Sequence, residues 1–382
     1  ETHLGVHLVR GESVIVFDEV QRFPRAREAI KYLVKDDGRY DYILSGSLLG
    51  VELKNIRSVP VGTLAEEKMY PLDFEEFLWA VNCGDEVIES MRSCFRKGEA
   101  LNESLHQNIL KRFQYYLLVG GLPEAVNMFL SDRHIQRVRE VQTQIYELYK
   151  IDASQYDNDN KLKIRRVYDL IPSNLENKKK RVVFKDIENK KGKDYTDYAD
   201  EFEYLSASGV ALEVKSISNP KFPIKESVIK SFLKFYLNDI GILTNILYSN
   251  NASAIMNDER SINLGTVYES VVAQELSAHG FQLYYYDNKK MGEVDFLVDD
   301  YDHLAVLPLE IKSGKDYTIH SALDRFVSNE SYNIPRAIVF SNDGKVFQKG
   351  RIIYMPIYFC MFLENKASET DNEFVFEELM EL

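Results

Sequence analysis

Short apolar runs and stretches of helical period follow one another from the start of the chain. Val14-Ile15-Val16-Phe17 is an unbroken apolar run that closes on Asp18-Glu19, and Tyr40-Asp41-Tyr42-Ile43-Leu44 closes on Ser45-Gly46-Ser47. Both runs have strand length and the segment Pro24 to Val34 between them has helix length, which is the spacing of a βαβ unit. An unbroken apolar run suits a parallel strand covered on both faces. Residues that follow such a strand stand at the carboxyl edge of the sheet, where ligands sit in open α/β folds. Asp18, Glu19, Ser45 and Ser47 are thereby predicted at one edge.

The pattern then turns helical. In Met69-Tyr70-Pro71-Leu72-Asp73-Phe74-Glu75-Glu76-Phe77-Leu78-Trp79, Asp73 stands as an N-cap with Glu76 at the capping-box offset, and Phe74, Phe77 and Leu78 share one face. Apolar residues keep helical spacing from Leu105 to Leu130 except at Gly120-Gly121-Leu122-Pro123, which predicts a tight turn between two helices. His134 to Tyr149 forms one more amphipathic helix. Further on, Lys161–Leu170 and Thr196–Ser206 read as helices, the second with Tyr198, Phe202 and Leu205 inward and Gly209 at its end. Val210–Val214 reads as a strand and Phe232–Tyr236 as a strand or helix packed on the same module. Towards the carboxyl end Gly265–Leu276 is predicted helical. Glu293–Val298 and Val306–Lys312 form a hairpin across the polar turn Asp299–His303.

These placements suggest two chemistries. At the first edge, Asp18 would hold Mg²⁺ through water, Glu19 would polarise an attacking water, and Ser45 and Ser47 would sense a terminal phosphate. A phosphate-binding loop needs Gly-Lys before Ser or Thr. Gly192-Lys193, Gly314-Lys315 and Gly344-Lys345 precede Asp194, Asp316 and Val346, so none qualifies. The chain, opening on Glu1, reads as the carboxyl-terminal part of a longer ATPase. In the late hairpin, Glu310 and Lys312 share a strand face and Asp295 joins them across the pair. With Glu269 from the preceding helix, this set would hold Mg²⁺ through Asp295, Glu310 and Glu269 while Lys312 serves phosphodiester cleavage. Alternating acids and bases on a hairpin also make plain cross-strand ion pairs. His303 and His320 have no partner at ligand spacing.

Composition narrows the class of protein. The 382 residues carry 60 acidic and 47 basic side chains, a net charge of -13 that opposes nonspecific attraction to nucleic acid but permits a local basic face. Basic residues cluster at Lys161, Lys163, Arg165 and Arg166, at Lys178, Lys179, Lys180 and Arg181, and from Lys185 to Lys193. The Lys178–Arg181 run is a candidate nucleic-acid contact, with a solvated loop as the plain alternative. Cys83, Cys94 and Cys360 offer neither metal spacing nor a disulfide framework, so a cytoplasmic location is expected. No apolar run approaches membrane-spanning length.

Asp-Glu-x-Gln after an apolar strand, Ser-Gly-Ser after the next, Tyr-Pro-Leu-x-Phe-x-Glu-Phe-Leu and Gly-Gly-Leu-Pro-Glu-Ala-Val occur in series. In that order they resemble a bacterial and archaeal group of AAA superfamily ATPases, P-loop NTPases whose carboxyl-terminal domain is of unknown function. Asn238-Asp239-Ile240-Gly241-Ile242-Leu243 resembles that group's Leu-x-Asp-x-Gly-Leu-Leu junction and is read as structural. Gly62-Thr63 stands where many members have Gly-Arg. The nearest Arg, Arg57, reads as a solvated side chain rather than an arginine finger.

The resemblance implies an α/β multidomain fold with an upstream phosphate loop, a Walker B strand ending at Asp18-Glu19, a winged-helix-like segment and a restriction-endonuclease-like end. The expected layout is half an ATPase parallel sheet (1–80), a helical lid (81–150), a winged-helix-like domain (151–250), a restriction-endonuclease-like α/β domain (251–366) and an acidic tail (367–382). The expected function is ATP binding and Mg²⁺-dependent hydrolysis coupled to the nuclease-like domain, on or near nucleic acid. This chain alone would not turn ATP over. The alternatives are a metal-dependent nuclease regulated by the ATPase part and a noncatalytic interaction module.

Overall fold

The computed structural model describes residues 5, 7–20, 23, 29, 32–34, 40–46, 65–156, 161–259, 262–314 and 316–366. They fall in two compact units, Glu1–Met69 with Phe202–Gly209, and Tyr70–Glu201 with Val210–Leu382. The architecture is mixed α/β, as the sequence pattern implies.

In the first unit, β1 (Val14–Phe17) and β2 (Asp41–Leu44) pair in parallel, in register from Val14 with Asp41 to Phe17 with Leu44. Parallel pairing is what a helix-length connection predicts. Residues 32–34 are helical, while 24–28, 30 and 31 of the expected helix lie outside the described residues. One expectation is corrected: the apolar run is not covered on both faces. Val14 and Val16 are exposed, while Ile15 and Phe17, on the other face, are half-buried.

The second unit opens with α1 (Phe74–Ala80), whose N-terminus is a complete capping box. Glu76 N–H donates to Asp73 Oδ1 at 2.8 Å and Asp73 N–H donates to Glu76 Oε2 at 3.0 Å. Phe74, Phe77 and Leu78 are buried on its inner face. There follow α2 (Asp85–Lys97), α3 (Glu103–Val119), α4 (Pro123–Asp132), α5 (Ile135–Tyr156), α6 (Lys161–Glu176) and α7 (Phe184–Glu188), while α8 (Ala199–Ala207) belongs to the first unit from Phe202 onward. The Gly-Gly-Leu-Pro break separates α3 from α4, and Pro123 takes the first turn of α4, where its missing N–H is harmless.

That break is more than a turn. Gly121 N–H donates to Asp239 Oδ2 at 2.7 Å, and Leu72 N–H donates to Gly121 O at 2.8 Å. Asp239 also caps α9 (Ile240–Tyr248) by accepting from Ile242 N–H. Three segments far apart in sequence, around Leu72, Gly121 and Asp239, therefore meet at one buried knot. Beside it, buried Arg139 on α5 donates through Nη1 to Leu118 O and Gly241 O. Burial lowers the Arg139 pKa to about 10, with Asp239 opposing.

The sheet of this unit has eight strands among the described residues, in the order β4-β3-β5-β6-β7-β8-β10-β9. They are β3 (Ala211–Ile217), β4 (Val228–Leu237), β5 (Tyr284–Asn288), β6 (Gly292–Asp300), β7 (Ala305–Lys312), β8 (Ala337–Ser341), β9 (Phe347–Lys349) and β10 (Ile352–Pro356). Strands β5, β6 and β7 form an antiparallel meander, and β7, β8 and β10 are parallel. Helices α10 (Ala252–Met256) and α11 (Leu264–Ala278) precede β5, and α12 (Ser321–Val327) precedes β8. Tyr286, Val294, Leu297 and Val339 form a core with Leu323 and Phe326 of α12. The hairpin of β6 and β7 is the predicted one, lengthened so that Asp299 and Asp300 are strand rather than turn.

The middle region departs from its expected form. Strand β3 pairs antiparallel with β4 on one side and parallel with β5 on the other, so these strands are the margin of the large sheet rather than a wing of their own. The reason is burial. Ala211, Leu212, Val214, Ser216 and Ile217 are all buried, and a free wing hairpin would leave an edge and a face in water. Phe232–Tyr236 is strand. The expected borders at 150 and 250 fall inside one compact unit. Among the described residues no helix is long and apolar enough to cross a membrane.

Candidate functional site

Because β1 and β2 end level, the residues that follow them stand side by side. Ser45 N–H donates to Phe17 O at 3.0 Å, Val20 N–H donates to Ser45 O at 3.1 Å, and these bonds fix the two exits. Ser45 Oγ donates to Asp18 Oδ1. The same oxygen accepts from Glu19 N–H at 3.0 Å. Glu19 adopts the left-handed region at φ 51°, which few non-glycine residues do, and so leaves the strand line at once. Asp18 is exposed and Glu19 half-buried. Ser47 lies outside the described residues.

A second group of ionisable residues gathers in the other unit, on and around β6 and β7. Val294 belongs to the core under α12, so its neighbour Asp295 turns to the opposite sheet face. There Asp295 Oδ2 accepts from Ile311 N–H at 2.8 Å, and Lys312 Nζ donates to Glu310 Oε1 at 2.6 Å. Glu269 of α11 accepts from Tyr236 OH at 3.3 Å and from Lys180 Nζ. Lys234, fully buried on β4, donates to Glu293. The predicted set Glu269, Asp295, Glu310 and Lys312 is thus brought within one electrostatic cluster.

Burial pushes the Asp295 carboxyl well above the usual range, and Glu310 and Glu269 push it further. Glu310 is raised by burial against the pull of Lys312. For Lys312 burial works against the charge, yet Glu310, Asp295 and Glu269 outweigh it and hold the ammonium above its ordinary value. Lys234 follows the same logic with Glu293 and Glu269. As the side chains lie, no three His, Cys, Asp or Glu residues among the described ones are arranged to hold a metal ion.

The basic run has a role that neither sequence reading contained. Lys179 Nζ lies 2.9 Å from Asp287 Oδ2, Arg181 pairs with the same carboxylate, and Lys180 pairs with Glu269. The Arg181 guanidinium also lies over Phe232, 4.3 Å from the ring centroid. Three of the four cations proposed for nucleic acid therefore have acidic partners within the chain, while Lys178 is exposed. Buried carboxylates on the sheet face need counter-charges, and this segment supplies them.

Lys234, Tyr236 and Glu293 were the residues that sequence reasoning passed over. A signal existed: Lys234 interrupts the apolar strand Phe232-Leu233-Lys234-Phe235-Tyr236, and a Lys there is seldom buried without a partner.

Residues 2–78 match the AAA domain, residues 110–253 match a Domain of unknown function (DUF8612), and residues 264–360 match a Domain of unknown function (DUF4143). No curated protein and no solved structure matches the chain. The matches support an AAA-type ATPase domain at the amino end, with the nucleotide binding that such a domain implies, and a carboxyl-terminal domain of unknown function. The central match runs across the expected border at residue 150, in keeping with the single compact unit found there. It contains β3 and β4, and the last match contains β5 to β10, so two family segments contribute to one sheet.

Proposed function

We propose that the first unit is the water- and metal-managing half of an ATPase site. Mg²⁺, when bound with ATP, would supply charge neutralisation at the phosphates. Asp18 would hold the hydrated ion, Glu19 would orient and polarise water, and Ser45 and Ser47 would read the terminal phosphate. The carrying observation is the hydrogen bond from Ser45 Oγ to Asp18 Oδ1 at the level ends of two parallel strands. The residues fit the ion: Asp18 is exposed, and both of these bonds fall on Oδ1, leaving Oδ2 to act on coordinated water. Through nucleotide state the first unit would reposition the carboxyl-terminal domain, on or near nucleic acid. In the full gene product, Glu19→Gln is expected to lower the rate of ATP turnover by about 10²-fold or more while ATP binding persists. Wild-type turnover in that variant would refute the assignment.

A second reading, metal-dependent phosphodiester cleavage, is supported by the succession α11, antiparallel β5–β7, α12 and parallel β8, with Glu269, Asp295, Glu310 and Lys312 in the restriction-endonuclease-like order. It ranks second because Lys180 and Lys312 already engage Glu269 and Glu310. Cleavage of plasmid DNA with Mg²⁺ or Mn²⁺ that disappears in Lys312→Ala tests it.

A further inference from the structure

On the face of the large sheet away from α12, a groove of about 770 Å³ lies between the sheet and the carboxyl end of α2. Strand alternation builds its floor. Val306, Val339, Ile352 and Tyr354 pack in the core with α12, so Leu307, Ile338, Ile353 and Met355 turn to the other face and line the groove. Phe347 of β9, the outermost strand, adds an exposed ring to one wall. Most charges around it are already committed: Arg336 lies 2.8 Å from Asp300, Arg92 lies 2.6 Å from Glu75, and Lys366 lies 3.1 Å from Glu364. Arg96 and Lys97, exposed in the last turn of α2, have no acidic partner among the described residues.

The backbone leaves the second unit at the same place. His279 Nδ1 lies 2.8 Å from Leu363 O and Asn365 Nδ2 donates to Gly280 O at 2.7 Å, so the segment up to Lys366 is tied down beside the groove it lines. Sixteen residues follow Lys366 in the sequence, with six acids and no base around Phe374-Val375-Phe376 and Leu379-Met380. We propose that the groove is the docking site for this acidic tail of the same chain, with Phe374 and Phe376 on the apolar floor and Glu373, Glu377 and Glu378 against Arg96 and Lys97. The composition matches in both halves, since segments that stay solvated are poor in aromatic residues and this one carries two beside its acids. Reach favours the chain's own tail over a second copy. Eight residue steps from Lys366 to Phe374 span up to roughly 29 Å, and so short a tether gives the tail an effective concentration on the order of millimolar.

Amide hydrogen exchange in the full chain tests the docking. Residues 373–380 of wild type are expected to exchange at least about tenfold more slowly than a free peptide of that sequence. Arg96→Glu/Lys97→Glu is expected to abolish the protection, while Lys289→Glu/Lys290→Glu, an equal change of charge on the exposed turn between β5 and β6, leaves it intact. Phe374→Ala/Phe376→Ala is expected to speed exchange at residues 346–349 in the groove wall. Free-peptide rates in the wild-type tail overturn the proposal without recourse to any variant, as does protection that survives Arg96→Glu/Lys97→Glu. Protection that fades on dilution would assign the occupant to a second copy and overturns docking within one chain.

Discussion

Gly121→Ala is expected to cost about 3 kcal/mol of stability or more, among the largest effects of adding one methyl group at any described glycine. A Cβ at this position would sit 2.0 Å from Leu72 O, 2.7 Å from Leu72 N and 2.8 Å from Leu72 C, all of them backbone atoms. No rotamer change relieves a clash with backbone. Either the segment leading into α1 or the turn between α3 and α4 must move, and each is held by bonds that the move would stretch. Leu72 N–H donates to Gly121 O, Tyr116 OH donates to Leu72 O at 2.7 Å, and Gly121 N–H is clasped by Asp239. Stretching these leaves buried polar groups unpaired, at roughly 1–3 kcal/mol each. Chemical unfolding compared with Gly314→Ala, where a Cβ meets nothing within 4 Å, isolates the effect. Equal midpoints for the two variants would show that the close approach is unimportant.

Glu275→Gln is expected to make the protein more stable than wild type at pH 8 and above and to flatten its stability between pH 4.5 and 8. Glu275 sits wholly buried on α11, where Oε1 accepts from Phe74 N–H at 2.9 Å and lies 3.1 Å from the Tyr116 hydroxyl oxygen, while Oε2 has no partner. Burial, helped by Asp73, raises its pKa from 4.5 to about 8, with His279 opposing. The folded chain therefore keeps a proton that the unfolded chain has released. Stability from this group is fully present below pH 4.5 and is lost as pH rises through 8, by a total on the order of 4 kcal/mol. Asp239, raised by burial from 3.8 to about 6, loses stability in the same direction over the lower part of that range. His279 adds an alkaline limb: burial opposes its charge, but the Asp73 hydrogen bond and Glu275 raise it from 6.5 to about 9, so its contribution is lost as pH passes 9. Gln keeps the acceptor for Phe74 and carries no charge to bury. Parallel stability-against-pH curves for wild type and Glu275→Gln would contradict this account.

Local pattern carried much of this fold. Asp73 and Glu76 stand three apart before an apolar face, and one helix N-terminus satisfies both. Pro123 after two glycines fixed the start of α4, and alternation from Glu293 to Val298 fixed a strand face that brought Asp295 towards Glu310. The order of strand ends likewise placed Asp18 beside Ser45. What local pattern left open was partner choice at long range. Strand β3 pairs with β5 some seventy residues on, and nothing in the period of either strand names the other. The Lys178–Arg181 run illustrates the same gap in charge: four adjacent cations read as a surface feature until Glu269 and Asp287 are found opposite them. Likewise Asp239, Gly121 and Leu72 each looked local, and only packing showed them tied together.

The pairing of β3 with β5 has a practical outcome for anyone dividing this molecule. Scissors placed in the connection between Tyr248 and Leu264, the obvious boundary between the two segments of unknown function, would give each product a raw strand margin lined with unanswered amides and carbonyls. Such pieces invite precipitation or mutual recapture rather than independent life, so the two segments are best regarded as a single heritable and expressible block.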